Sequence, residues 1–371
     1  MIPVFRPVVH PAARARALGC LESGWLGYGP LCRELEARFI GHRDGWALAT
    51  SSCTAALSLA GRLVTAPGRF EVIVPAITYV STAMAFAAAG LDVLIADVSP
   101  DSLMLHQGSV EHLIGERTAA IVAVHLFGQR MTTWPLRELA HSCGAFLIED
   151  CAHRIDLLDR PPTAPDICCY SFNAVKEAPA GEGGLLWSCR SELQERARAH
   201  SNVGLDIDTL ERSAELRHLD YRWTSEVGMK LRLNDVAAAL TLGGLDLLPS
   251  TRADRAEVFA LLDHELSCLA PVGIAPLARK PDDSFLMYVL RVPSAARDSI
   301  RRGLADRGIA TSFHYPSLSR HPLWRANAVC PIAEAQDGRL ITLPCPPGQA
   351  PAVRQVARAV LEACDGIESG E

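Results

Sequence analysis

A lone lysine, Lys176, stands in Tyr170-Ser-Phe-Asn-Ala-Val-Lys176-Glu-Ala-Pro-Ala-Gly181-Glu-Gly183-Gly184, among small residues just after an apolar run. An amine so placed can act as a Schiff-base nucleophile, provided it is desolvated enough to be neutral near pH 7. Gly181, Gly183 and Gly184 let the following backbone pass close to a ligand. A group for the far end of a cofactor stands in Leu147-Ile-Glu149-Asp150-Cys-Ala-His153, an apolar run ending in carboxylates. A carboxylate at a pyridine nitrogen keeps that nitrogen protonated and makes the ring an electron sink, so the two segments together point to pyridoxal phosphate (PLP) chemistry. Lys176 would serve twice. It first holds the cofactor and then, once a donor amine has released it, moves a proton between the donor's α-carbon and the cofactor.

Further groups suit the same ligand. Thr50-Ser-Ser-Cys53-Thr54-Ala55-Ala-Leu57 reads as a helix start after a strand, where unpaired N–H groups and small hydroxyls make an anion site for phosphate. A plain Ser/Thr helix cap would give the same pattern. Ser171 adds a hydroxyl to that site, and Tyr79 is an aromatic that can stack on the pyridine face or fill core. His153, three positions beyond Asp150, is within reach of a phenolic oxygen.

These side chains need a scaffold, and the chain supplies one. Apolar runs at Trp46–Ala49, Glu71–Val74, Val93–Ala96, Ala119–Val124, Phe146–Ile148, Ile167–Tyr170 and Leu185–Trp187 alternate with helix-like stretches. That rhythm predicts an α/β domain with a mostly parallel sheet covered on both faces. Ligands collect at the carboxyl ends of such strands, and Thr54, Tyr79, Asp150, Ser171 and Lys176 all follow predicted strands. A buried helix is expected from Asn234 to Leu248 and a polar helix from Ser250, dividing the chain into a large domain, 1–248, and a smaller C-terminal α+β domain, 249–371. The smaller part includes the run Phe285–Val292, an amphipathic helix Ala295–Arg307 stopped by Gly308, and a last helix after Pro351.

Composition excludes several classes. The chain has 371 residues, 49% hydrophobic and 21% charged, which is the balance of a folded globular enzyme. A net charge of -6 without a basic stripe favours neither nucleic acid nor an anionic membrane as partner. The basic residues Arg6, Arg14 and Arg16 flank no long apolar segment, so a cytoplasmic location is expected. The twelve cysteines are dispersed without ligand spacing and read as reduced thiols. Cys143 and Cys151 beside His141 or His153 lack a metal-site pattern, as do His125, His141 and His153 together, and no metal is expected.

In this order, the blocks resemble the sugar aminotransferases of the DegT/DnrJ/StrS family, which are fold type I PLP-dependent enzymes, over nearly the whole chain. Ser23-Gly-Trp25-Leu-Gly27-Tyr28-Gly29-Pro30 is similar to the family's entry segment, Thr50 to Leu57 to its phosphate loop, and Pro75 to Thr82 to the block carrying its stacking aromatic. Val124-His125-Leu-Phe-Gly128-Gln129 and Glu149 to His153 follow, and Tyr170 to Gly184 is the most specific match. The resemblance implies Lys176 as Schiff-base lysine, Asp150 at the pyridine nitrogen, His153 near the phenolic oxygen, Tyr79 on the ring, and Cys53, Thr54, Ala55 and Ser171 around the phosphate. Lys230, in Gly228-Met-Lys230-Leu-Arg232, stands where the family has an asparagine that reaches the neighbouring subunit's cofactor, which implies a homodimer with shared active sites. Trp25, Tyr28, His314 and Tyr315 are implied as substrate contacts. Two departures stand out: Cys53 replaces the phosphate loop's glycine, and Ser319 replaces a histidine in the block Ser312 to Ser319.

The implied activity is transfer of an amino group from L-glutamate or L-glutamine to a keto group of a nucleotide-linked deoxysugar, with pyridoxamine phosphate as the intermediate form of the cofactor. A keto-inositol or other cyclic ketone is the alternative acceptor, and a noncatalytic PLP-fold sensor the alternative class. Retention of Lys176 separates the chain from the family's dehydratase branch, which carries histidine there.

Overall fold

Seven of the apolar runs pair into one sheet: β1 (Trp46–Thr50), β2 (Glu71–Pro75), β3 (Asp92–Ala96), β4 (Thr118–Val124), β5 (Phe146–Cys151), β6 (Ile167–Ser171) and β7 (Gly184–Ser188). Their spatial order is β1-β7-β6-β5-β4-β2-β3. The computed structural model describes residues 1–41, 44–156, 165–207, 210 and 223–365. Every residue of β1, β2, β4, β6 and β7 is buried, because helices cover both faces, and this is why the runs read as continuously apolar. The sheet is mostly parallel, as expected, with one exception. β7 runs antiparallel to both neighbours. The chain returns from β6 to β7 through a loop that carries Lys176 and no helix, and a return without a crossover helix pairs strands antiparallel.

The helices are α1 (Pro11–Ser23), α2 (Pro30–Ile40), α3 (Cys53–Val64), α4 (Ser81–Ala88), α5 (Gln107–Glu111), α6 (Trp134–Ser142), α7 (Gln194–Ser201), α8 (Asp235–Asp246), α9 (Leu248–Leu266), α10 (Ser294–Asp306), α11 (Pro331–Glu334) and α12 (Ala350–Ala363). Two begin at the ligand end of the sheet. α3 follows β1 and α4 follows β2 within a few residues, so their N-terminal turns face the same opening. Asn234 caps the buried α8 by accepting the Ala237 N–H at 2.9 Å, and Asp235 accepts the N–H groups of Leu31 and Cys32 at 3.2 and 3.0 Å. Those bonds fix the start of α2 against α8.

A second, three-stranded sheet lies in the C-terminal third, with β9 (Tyr288–Arg291) between β8 (Ala275–Pro276) and β10 (Leu340–Leu343). It shares a core with α9, α10 and α12 built on Phe259, Leu262, Tyr288, Ile341 and Val356. The first residues of the chain reach this layer: Ile2 bridges Ile309, and Phe5 continues toward the large sheet, where it packs on the main core.

Candidate active site

At the carboxyl ends of the strands lies a cavity of about 380 Å³, a volume within the range of small-molecule sites. Thr54, Tyr79, Asp150, His153, Ser171 and Lys176 all line it, joined by Cys53. His314 and Tyr315 close the other side from the C-terminal layer.

The anion end is built by α3. Ser52 caps this helix, its Oγ accepting the Ala55 N–H at 3.0 Å. The Ala55 amide expected to hold phosphate is therefore engaged by the cap, and the N–H groups of Cys53 and Thr54, with no preceding turn to bond to, remain for a ligand. Gly184 makes this arrangement possible. A Cβ there would stand 2.4 Å from the Cys53 nitrogen, so only glycine lets β7 pass beneath the helix start. Cys53 replaces a glycine without strain because it is the first residue of α3, and its buried thiol lies 3.9 Å from Asp150 Oδ1. Burial and the Asp150 charge hold that thiol protonated.

Asp150 is buried at the end of β5, where Oδ2 accepts from Thr82 Oγ1 at 2.8 Å and Oδ1 from the Ala152 N–H at 2.9 Å. Thr82 Oγ1 also lies 2.8 Å from Thr78 Oγ1, so each hydroxyl polarises the next. Burial pushes the carboxyl upward, opposed by those donors and by Lys176. A cation at this carboxylate would restore much of what burial costs it.

Lys176 is held down to about 8 by burial, against the pull of Asp150 and Cys53. About a tenth of such amines are neutral at pH 7. That fraction is what a nucleophilic lysine needs and an exposed one lacks.

His153 is buried with Nδ1 accepting the Phe127 N–H at 3.1 Å and Nε2 3.2 Å from Tyr315 Oη. The Nδ1 lone pair is therefore engaged, the proton sits on Nε2, and the ring donates to the tyrosine oxygen. Burial and the nearby Lys176 and His314 depress its basicity in the same direction. The proton of Tyr315 is thereby left to point into the cavity. His314 is held neutral, pushed down to about 4 by burial and by Lys176, with Nδ1 2.7 Å from Thr342 Oγ1. Tyr79 sits at the rim, 57% exposed, its ring centroid 5.9 Å from that of Tyr315.

Three sequence candidates, and the departure at Ser319, lie elsewhere. Tyr28 donates to the buried Glu36, 2.8 Å from Oε1 and 2.9 Å from Oε2, and Glu36 Oε1 also accepts the Ala49 N–H at 2.9 Å. This tyrosine packs α2 against β1 rather than meeting the cavity. Trp25 donates its Nε1 proton to the Tyr28 carbonyl at 3.2 Å and braces the entry turn. Lys230 is exposed and bridged to Asn202, outside the cavity of its own chain. Ser319, the departure from the histidine, is buried, and its hydroxyl donates to Glu334 at 2.7 Å. Thr78, Thr82 and Phe5 line the cavity and were given no role from sequence. Thr82 carried a local signal, one helical turn beyond Tyr79, whereas Phe5 comes from a distant segment and carried none.

The histidines of the metal alternative go to separate partners. His141 Nε2 lies 2.9 Å from Asp166. His125 accepts the Met131 N–H on Nδ1 at 3.1 Å and faces Glu149 with Nε2, also at 3.1 Å. Cys151 shares that corner, but with both ring nitrogens engaged the imidazole has no lone pair for an ion.

A model of the DegT/DnrJ/EryC1/StrS aminotransferase family matches residues 9–361. A dTDP-4-dehydro-2,3,6-trideoxy-D-glucose 4-aminotransferase from Saccharopolyspora spinosa is 29% identical over 360 residues, 94% of this chain and 92% of that protein. The aminotransferase TlmJ from Streptoalloteichus hindustanus superimposes with a TM-score of 0.85 at 29% identity, over 98% of each chain. The PLP form of a candidate sugar aminotransferase from Streptococcus pneumoniae does so with a TM-score of 0.86 at 25% identity, over 99% of each chain.

Proposed function

Because the chain belongs to the DegT/DnrJ/EryC1/StrS aminotransferase family, we propose that it moves an amino group from L-glutamate or L-glutamine to the keto carbon of a nucleotide-linked deoxysugar, with PLP as cofactor. The observation that carries this reading is the joint placement of a half-buried, weakly basic Lys176 and a buried Asp150 on one cavity. The donor set fits PLP group by group: an amine for its carbonyl carbon, a carboxylate for its ring nitrogen, an aromatic at the rim for its ring face, and the start of α3 with Ser171 for its phosphate. When bound, PLP supplies a carbonyl carbon that exchanges with amines and a ring that takes up electron density from the adjoining carbon.

The chain's own groups do the remaining work. Lys176 Nζ would hold the cofactor's carbonyl carbon until an amino donor replaced it, and its freed amine would then be placed to move a proton from the donor's α-carbon. Asp150, braced by Thr82 and the Ala152 amide, keeps the ring nitrogen protonated. His153 holds the Tyr315 oxygen, and Tyr315 turns its proton toward the ligand's oxygen. The sugar enters between Tyr79 and the C-terminal wall at His314, and a second copy of the chain brings Lys230 to the phosphate side. The relative that acts on a dTDP-linked trideoxy sugar supports a deoxysugar acceptor.

The test is an absorption spectrum of protein supplied with PLP, for the wild type and Lys176→Ala, before and after L-glutamate. A visible band in the wild type that bleaches with donor, returns with a keto-sugar and is altered in the variant is the expected result. No band in the wild type at excess PLP would end this reading.

A further inference from the structure

Glu177 follows Lys176 in the chain and is buried, yet it does not line the cavity. Its carboxylate accepts the Ile155 N–H at 2.6 Å and is gripped by the Arg252 fork, Nε at 2.7 Å and Nη2 at 2.9 Å. The same Arg252 Nη2 donates to the Ile155 carbonyl at 2.6 Å, and Arg255 Nη1 stands 3.8 Å from Glu177 Oε1. Ile155 lies two residues beyond His153, and Arg252 and Arg255 lie on α9. One ion pair therefore ties the lysine loop, the segment carrying Asp150 and His153, and α9 to one another.

One observation and one general rule bear on what this arrangement does. A cavity of about 60 Å³ lies beside the lysine, lined by Lys176, Glu177, Arg255, Thr251 and Phe5, so packing alone leaves the loop room to shift. Setting a buried carboxylate against a guanidinium that stays 26% exposed is, besides, a poor source of net stability, since desolvation and solvent screening offset most of their attraction. The clamp's contribution is then to geometry. Resting on the reading that Lys176 is the reacting amine, we propose that Glu177, gripped by Arg252, is a positioning residue that fixes Lys176 against Asp150 and His153.

The experiment uses the PLP-loaded protein and the variants Glu177→Gln, Arg252→Lys and the apolar double variant Glu177→Leu with Arg252→Leu. The double variant removes the bonded pair but leaves the buried Arg255 without its carboxylate, so its thermal midpoint is expected to fall and its rates are compared per folded molecule. Its single-turnover bleaching with L-glutamate is expected to slow at least tenfold, about the cost of misplacing a reacting group by a fraction of an ångström, while the KM for donor changes less than threefold. Glu177→Gln keeps the shape and one acceptor and is expected to fall between. It also answers the question should the double variant not fold. A shifted band maximum in either variant would mark a displaced amine, which loss of stability alone would not produce. Folded variants that bleach at the wild-type rate, with an unchanged band, would overturn the proposal while leaving the aminotransferase reading intact. A wild type with no band at all would remove both.

Discussion

Consecutive residues of β5, Glu149 and Asp150, point to opposite faces of the sheet and show what separates a polar corner closed by protein from one open to a ligand. The two corners are wired alike. Each has a histidine whose Nδ1 accepts a backbone N–H, His125 from Met131 and His153 from Phe127, so each presents its proton on Nε2. On the Glu149 side that proton meets the carboxylate itself, which also accepts from Thr133 Oγ1 at 2.7 Å, and the corner is closed by protein. On the Asp150 side the histidine proton goes to Tyr315 and the carboxylate borders a cavity shared with a half-basic lysine. Proximity of His and carboxylate is thus no guide to chemistry. Whether the last acceptor in the chain is protein or open space is what distinguishes the two.

Substituting the paired carboxylates tests this contrast most directly. Asp150→Asn is expected to slow transamination on the order of a hundred- to a thousandfold while leaving the thermal midpoint level or higher, since it removes a buried charge. Glu149→Gln is expected to do the reverse, lowering stability by about 1–3 kcal/mol with the rate per folded molecule nearly unchanged. Steady-state rates and melting curves on both would break the comparison if the pattern were exchanged.

The next effect concerns Lys176. Its folded value of about 8 lies below the ordinary 10.5, so between those values the unfolded chain binds more protons and stability of the cofactor-free protein rises with pH. The difference corresponds to about 3 kcal/mol of native-state cost at pH 7. Lys176→Met should recover it, and that gain should fade as pH climbs toward 10.5. Chemical denaturation across pH 6–11 measures it, and a gain independent of pH would show that folding leaves the lysine's basicity at its ordinary value.

A smaller effect is expected at Tyr315→Phe, about a tenfold loss of rate with a changed visible band and little change in KM for the donor. The tyrosine on the closed side makes the control. Tyr28→Phe deprives the buried Glu36 of a donor and is expected to lower stability by about 1 kcal/mol without altering kcat. A kcat loss there, read beside a melting curve, would return Tyr28 to the site.

The sequence was most informative where one segment supplies both the element and the chemistry. The strand from Trp46, the helix opening at Cys53 and the carboxylates ending β5 were legible because apolar runs and their polar ends are local. The buried helix from Asn234 was a similar case. The antiparallel β7 was hidden, since its residues are as apolar as those of the parallel strands and only the missing crossover helix betrays it. The bond from Tyr28 to Glu36 was hidden, because Glu36 lies eight positions on, on a surface that composition alone reads as exposed. Glu177 and Arg252, some 75 positions apart, carried no sequence sign of their pairing. Local patterns told which groups were present, and long-range pairing decided which of them faced the cavity.

The pairing of β1 with β7 also has a meaning in time. Thr50 finds its partner in Gly184, about 130 residues later, and the floor beneath the first turn of α3 is that same glycine. A ribosome adding roughly 5–20 residues per second needs on the order of ten seconds to bridge that interval. During it, β1 waits as an unpaired apolar strand and the cradle for an anion has no base. Cofactor capture at this helix start therefore waits for β7 and cannot help the earlier chain to fold.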